Sequence, residues 1–141
     1  MSENARLSLI VPVLNEEETI AVFLEECGPA VEEAVSLMPD GSDMEFVFVN
    51  DGSTDPKTND LLRGYRRPAT RVIETSHGGL AAARNRGLGE TRGRYVCALD
   101  ADDRLAPGYF DRTTQLLDAR TDLSFVSFWL ETFGDEHWTW R

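Results

Sequence analysis

Five runs of β-branched, aliphatic or aromatic residues recur along the chain at strand length: LSLIVPVL (7–14), MEFVFVN (44–50), TRVIET (70–75), YVCALD (95–100) and LSFVSFWLETF (123–133). Between them the hydrophobic period changes. Ile20, Phe23, Leu24, Cys27, Val31 and Val35 fall three and four residues apart, which predicts a helix with one stripe toward a core. Gly28-Pro29 interrupts that stripe and predicts a kink or two short helices. Asp55-Pro56 reads as an N-cap followed by proline at the first helical position, opening a helix through Leu61 and Leu62. Pro107 similarly opens a helix holding Phe110, Leu116 and Leu117. Strands alternating with helices predict an α/β fold, a mostly parallel sheet with helices on both faces. No repeat, low-complexity tract or linker interrupts the pattern.

Composition narrows the classes. A chain of 141 residues, 41% hydrophobic, buries one core and is expected to be a single domain. Its net charge of −11 argues against a nucleic-acid partner, which needs a basic face, and requires that any anionic ligand be held by a metal or by local arginines. Cys27 and Cys97 lie in apolar segments without metal-ligand spacing and read as core thiols of a reducing compartment. MSENAR lacks the basic start of an export signal, and no run approaches the roughly 20 apolar residues needed to span a bilayer. The expectation is a cytoplasmic chain without a membrane span.

In sheets of this kind ligands bind beyond the carboxyl ends of the strands. Those ends read PVLNEEE, VNDGSTD, ETSHGGLAAARN and LDADD, so polar, acidic and glycine-bearing segments converge on one rim. Each segment also has a plain structural reading. Asn15 or Glu16 can cap the first helix, Asp51-Gly52-Ser53 is a good turn by itself, and Asp55 is a cap. As a site, Asp51 accepts hydrogen bonds from a ligand while Gly52 permits close approach. Gly78 and Gly79 before a helix of small residues offer backbone N–H groups and a positive dipole end to a phosphate, with Arg84 and Arg86 about one turn in. His77 is read as structural. Asp100, Asp102 and Asp103 place three carboxylates within four residues, and such mutual repulsion calls for a cation. A D-x-D pair suits Mg²⁺ or Mn²⁺, which bind through one or two carboxylates and substrate phosphates.

The segments VPVLNEEETI, VNDGSTD, GGLAAARNRGL and GRYVCALDADD, in this order and spacing, resemble the family 2 glycosyltransferases of GT-A (Rossmann-like) architecture, from Leu7 to about Phe128. The resemblance implies a nucleotide-sugar donor, most often a UDP-sugar, a divalent metal on its diphosphate, and inverting transfer to an acceptor hydroxyl on a glycan or lipid-linked acceptor. By position it implies Pro12, Asn15 and Glu16 at the nucleoside, Asp51 at the base, Gly79, Ala83 and Arg84 near the ribose and diphosphate, and Asp100 at the ribose. Asp100, Asp102 and Asp103 would hold the metal. The setting it implies is the cytoplasm, at the inner face of the membrane, in polysaccharide assembly. Asn50 departs from the pattern, standing where many relatives carry a first Asp. The general base is not assigned: Asp135 and Glu136 follow the fifth apolar run too soon, and the Q-x-x-R-W signature is absent. The chain is therefore expected to stop before the acceptor-binding region.

Rival classes fit less well. A dinucleotide oxidoreductase needs glycines after the first strand, as does a nucleotidyltransferase, and PVLNEE has none. A phosphatase of the D-x-D type carries its motif after the first strand, whereas here it follows the fourth. The alternative retained is a non-catalytic nucleotide-diphosphate-binding module.

Overall fold

A computed structural model of the chain describes the backbone of residues 5–36, 43–67 and 69–140, and the side chains of 7–26, 44–67 and 69–139. The chain divides into two compact units, Met1–Arg104 and Leu105–Arg141. The first is built on β1 (Ala5–Val13), β2 (Asp43–Asp51), β3 (Thr70–Thr75) and β4 (Tyr95–Ala98), with α1 (Glu17–Ser36), α2 (Pro56–Gly64) and α3 (Leu80–Glu90) between them. Every strand pairing in this sheet is parallel, in the order β3-β2-β1-β4. All four carboxyl ends therefore open on one rim.

Alternation along β2 sets the layers. Phe46 and Phe48 face one side, where Phe48 meets Phe23 of α1 at 6.2 Å and Tyr65, just after α2, at 5.5 Å between ring centroids. Val47 and Val49 face the other, where they pack with Ile10 and Ala83 of α3. Helix α3 lies so close that a Cβ on Gly87 would sit 2.4 Å from Ile10 Cγ2, and small residues at 83 and 87 make the approach possible. Helices thus cover both faces of an α/β sheet, as the sequence pattern predicts.

The same face of β2 carries a carboxylate at each end of the apolar pair, Glu45 before it and Asp51 after it. Six residues of strand span about 20 Å, against about 16 Å for the eleven residues of α3, so the two carboxylates clamp the ends of that helix. Glu45, 8% exposed, accepts from Ser8 Oγ and Arg92 N at 2.5 Å each and from Arg71 Nη2 at 3.2 Å, while Gly93 N donates to Ser8 Oγ. Burial pushes its carboxyl up, but the bonds from Ser8 and Arg92 and the Arg71 charge outweigh it and hold the group below its ordinary value. Its stabilisation is complete above about pH 4.5 and is lost as the pH falls through the lower folded value. Glu45→Gln is expected to lower stability by about 2 kcal/mol at neutral pH and to flatten the acid limb of a urea-unfolding series. Superimposable pH profiles for the two proteins would contradict the clamp.

Four expectations are corrected. Helix α1 runs as one element through Gly28-Pro29, so of the two alternatives, a kink or two short helices, the second is overturned. A proline removes a single rung, and the apolar spacing on either side continues in phase across it. The Cys27, Val31 and Val35 side chains lie outside the described residues. Cys97 is half-buried on edge strand β4, not a core thiol. The run 123–133 is not a fifth long strand. In the second unit, α4 (Tyr109–Ala119) is followed by a small antiparallel ladder of β5 (Leu130–Glu131) and β6 (Thr139–Trp140), and Phe125 and Trp129 are exposed. Apolar content alone does not make a strand; a ladder partner is required. Helix α4 begins at Tyr109, after Gly108 in a left-handed conformation, two residues later than Pro107 suggests. Among the described residues no helix is long and apolar enough to cross a membrane.

Candidate functional site

The rim is assembled from the loops that follow the four strands. After β1, Asn15 adopts φ +52°, and its Oδ1 accepts from Thr54 N at 2.8 Å and Asp55 N at 2.9 Å. Its own N–H donates to Ser53 Oγ, so this side chain ties the β1 loop to the β2 loop. Glu16 precedes α1 and accepts from the Thr19 hydroxyl at the first turn. Asp55 is the cap expected of it, its carboxylate accepting from both N and Oγ1 of Thr58 at 2.6 Å. Pro12 is buried inside β1, opposite Val49 on the β2 side. Ile10 O accepts from Leu99 N, so Pro12, two residues on, turns its ring nitrogen to the same side, where β4 has already ended. No ladder bond is lost there, and β1 outruns β4 just where the acidic loop begins.

Asp51 is 3% exposed, and both its oxygens are engaged: Oδ1 accepts from Gly78 N and Oδ2 from Gly79 N, each at 2.8 Å. His77 Nδ1 lies 3.0 Å from Oδ2, giving that histidine the structural place the sequence suggests. Burial pushes the Asp51 carboxyl up, but the two glycine N–H groups and His77 outweigh it and leave it below its ordinary value. This corrects one expectation: the Gly78 and Gly79 N–H groups are not bare, because Asp51 already occupies them. Gly79, at φ +89°, still forms the entry to α3 on the rim. Gly52, at φ +72°, cannot carry a Cβ, which would fall 2.7 Å from His77 N.

Ala83 is also corrected. It is 1% exposed and points into the core under α3, so its place is packing and not ligand contact. Arg86, two positions beyond Arg84 and on another side of the helix, pairs with Glu90 at 2.8 Å and does not join the rim. Arg84 does join it. Its Nη2 reaches both oxygens of Asp100, at 2.7 and 2.8 Å, while its buried Nε has no hydrogen-bond partner.

The acidic loop closes the rim. Asp103 N donates to Asp100 O at 3.0 Å, forming a turn that brings carboxylate oxygens of Asp100, Asp102 and Asp103 within 4.8 Å of one another. Asp102 and Asp103 are exposed. Partial burial, then the charges of Asp102 and Asp100, raise the Asp103 carboxyl above its ordinary value, with Arg84 opposing them. Three carboxylates this close, with Arg84 engaged by Asp100 alone, are residues that could hold a hard divalent cation.

Sequence reasoning missed the support beneath this rim. Asn50, 1% exposed, donates through Nδ2 to Asn59 Oδ1 at 2.8 Å and to Glu74 Oε2 at 2.7 Å, and accepts from Ser53 N. An amide is required here because a carboxylate at position 50 would face Glu74 directly. Asn50→Asp is therefore expected to destabilise the chain by about 1–2 kcal/mol, and Glu74→Gln in the same protein to recover most of it. A double-mutant cycle in urea checks this; additive effects would refute the pairing.

A family model described as Glycosyl transferase family 2 matches residues 8–141. The chain belongs to glycosyl transferase family 2. Among relatives of this family 2 chain, the uncharacterized glycosyltransferase EpsJ of Bacillus subtilis is 36% identical over 77% of the chain and 29% of its own length. The minor teichoic acid biosynthesis protein GgaB of the same organism is 30% identical over 96% of the chain and 15% of its own. Among solved structures, S. aureus TarS in complex with UDP-GlcNAc superposes with a TM-score of 0.65 at 27% identity, covering 82% of this chain and 32% of that one. The family 2 chain thus spans a third or less of these proteins. The likeness to TarS also bears out the GT-A architecture expected from the motifs.

Proposed function

We propose that this chain is the nucleotide-sugar-binding domain of a glycosyltransferase that moves a sugar from a UDP-sugar to an acceptor hydroxyl, with inversion. The observation that carries the reading is the cluster of Asp100, Asp102 and Asp103 at the end of β4, on the same rim as Asn15, Glu16, Asp51 and Gly79. Its place in family 2 and the UDP-GlcNAc complex of its neighbour TarS support a nucleoside diphosphate as the ligand. Asp100, Asp102 and Asp103 would hold Mg²⁺ or Mn²⁺, and Asp100, paired with Arg84, would also serve the ribose. The cation, when bound, offsets charge developing on the leaving diphosphate. Arg84 supplies a second positive group beside it, and the loop held by Asp51 forms the wall at the base. The general base and the glycan or lipid-linked acceptor lie with the acceptor-binding part of such an enzyme. Assembly of a cell-surface polysaccharide from the cytoplasmic side is the corresponding setting.

The test is incubation of the chain with UDP-GlcNAc, UDP-glucose and UDP-galactose in the presence of Mn²⁺, reading released UDP. Slow hydrolysis of one donor, absent with EDTA, is the expected result. A donor that binds and is never consumed, even by a full-length relative-sized form, identifies the non-catalytic binding module instead.

A further inference from the structure

An open groove of about 790 Å³ lies away from the acidic rim, along strand β3. Its lining includes residues 70–74 consecutively. Successive residues of a strand point to opposite faces, so a groove touching five in a row runs along the strand's edge and not over one face of the sheet. Among the described residues β3 is the terminal strand of its sheet, paired with β2 on its other side. Four arginines, Arg63, Arg66, Arg67 and Arg71, line the groove against one carboxylate, Glu74, in a chain whose net charge is −11. Arg71 is committed to Glu45 and Glu90, Arg67 stands over the Tyr65 ring at 6.0 Å, and Glu74 is held by Asn50. Arg63 and Arg66 are exposed, and no carboxylate of the described residues pairs with them.

We propose that this edge is a docking site for an extended acidic segment of a partner polypeptide, added as a fifth strand beside β3. The edge supplies main-chain donors and acceptors, Val72 and Ile73 supply apolar contact, and the arginines select negative charge. A helix end needs only one basic residue to complement its dipole, and Arg63 fills that role; Arg66 and Arg67 lie beyond α2. The site uses none of the rim residues and stands independently of the transferase reading.

The experiment titrates the chain with a fluorescent octapeptide of alternating Glu and Val, its Lys/Val counterpart, inorganic polyphosphate and phosphatidylglycerol vesicles. Amide hydrogen exchange is followed alongside. The Glu/Val peptide is expected to bind, the Lys/Val peptide not, and the amides of Val72 and Glu74, which alternate away from β2 toward the outer edge, to slow at saturation. Arg63→Gln with Arg66→Gln should weaken the peptide by about tenfold or more while leaving UDP binding unchanged and lowering the unfolding midpoint only by the small loss of the Arg63 charge at the end of α2. Binding without protection of β3, equal binding of both peptides, polyphosphate or vesicles binding in place of the peptide, or no binding would each overturn the proposal. Self-association of the double variant with no change in peptide affinity would assign the arginines to guarding the edge and overturn it too.

Discussion

Asp51→Asn is expected to destabilise the protein by about 2–3 kcal/mol and to loosen the loop from His77 to Gly79. The carboxylate accepts one N–H on each oxygen, from Gly78 and Gly79, in a site that is 3% exposed. An amide keeps one acceptor and turns an NH₂ toward the other glycine N–H, leaving two donors facing each other without water. The pH dependence has a definite sign. The folded carboxyl lies below its ordinary value near 3.8, so its contribution is complete above that pH and is lost as the pH falls through the lower folded value. The Asn variant should therefore differ most from the parent at neutral pH and least in strong acid. Urea unfolding at several pH values, with exchange rates of the Gly78 and Gly79 amides, checks both statements. An Asn variant as stable as the parent would mean that the loop is held by something other than Asp51.

Asp102→Asn should act in the opposite way, sparing the fold and removing the ligand. Asp102 is exposed and has no part in the clamps on α3, so stability should change by no more than about 0.5 kcal/mol. Relief of the repulsion on Asp103 should lower the pKa of that carboxyl toward the ordinary value. Metal-dependent affinity for UDP should fall by about 100-fold, because the substitution removes an anionic oxygen ligand and its charge from the cation site. Calorimetry of the variant in Mn²⁺ measures the loss. Undiminished Mn²⁺-dependent binding would remove Asp102 from the metal site.

Much of the first unit was legible in the chain. Val47 and Val49, Phe46 and Phe48 announce a strand covered on both faces, TRVIET coincides with β3, and Asp55-Pro56 marks the start of α2 to the residue. The acidic loop could be placed at a strand end because YVCALD precedes it. Contacts between residues far apart in sequence were not legible. Turn chemistry explains Asp51-Gly52 locally but does not reveal that Asp51 reaches Gly78 and Gly79, 27 and 28 residues later. The small residues opening α3 suggested bare backbone for a phosphate, yet Ala83 and Gly87, four apart, equally signal a helix pressed onto a sheet. That second reading is the one the packing bears out. The Asn50 departure was visible, but its cause, Glu74 on the neighbouring strand, appears only once β2 and β3 are in register. In the run 123–133 hydrophobicity was plain and pairing was not, so a long strand was expected where a two-residue ladder forms.

The central claim is that the rim of this chain holds a nucleoside diphosphate through a divalent cation. Calorimetric titration of UDP into the folded chain, in Mn²⁺ and again in EDTA, tests it most directly. Saturable binding in Mn²⁺ that disappears in EDTA is the predicted result. Absence of binding in both conditions, or equal binding in both, would contradict the assignment of Asp100, Asp102 and Asp103 as the metal site.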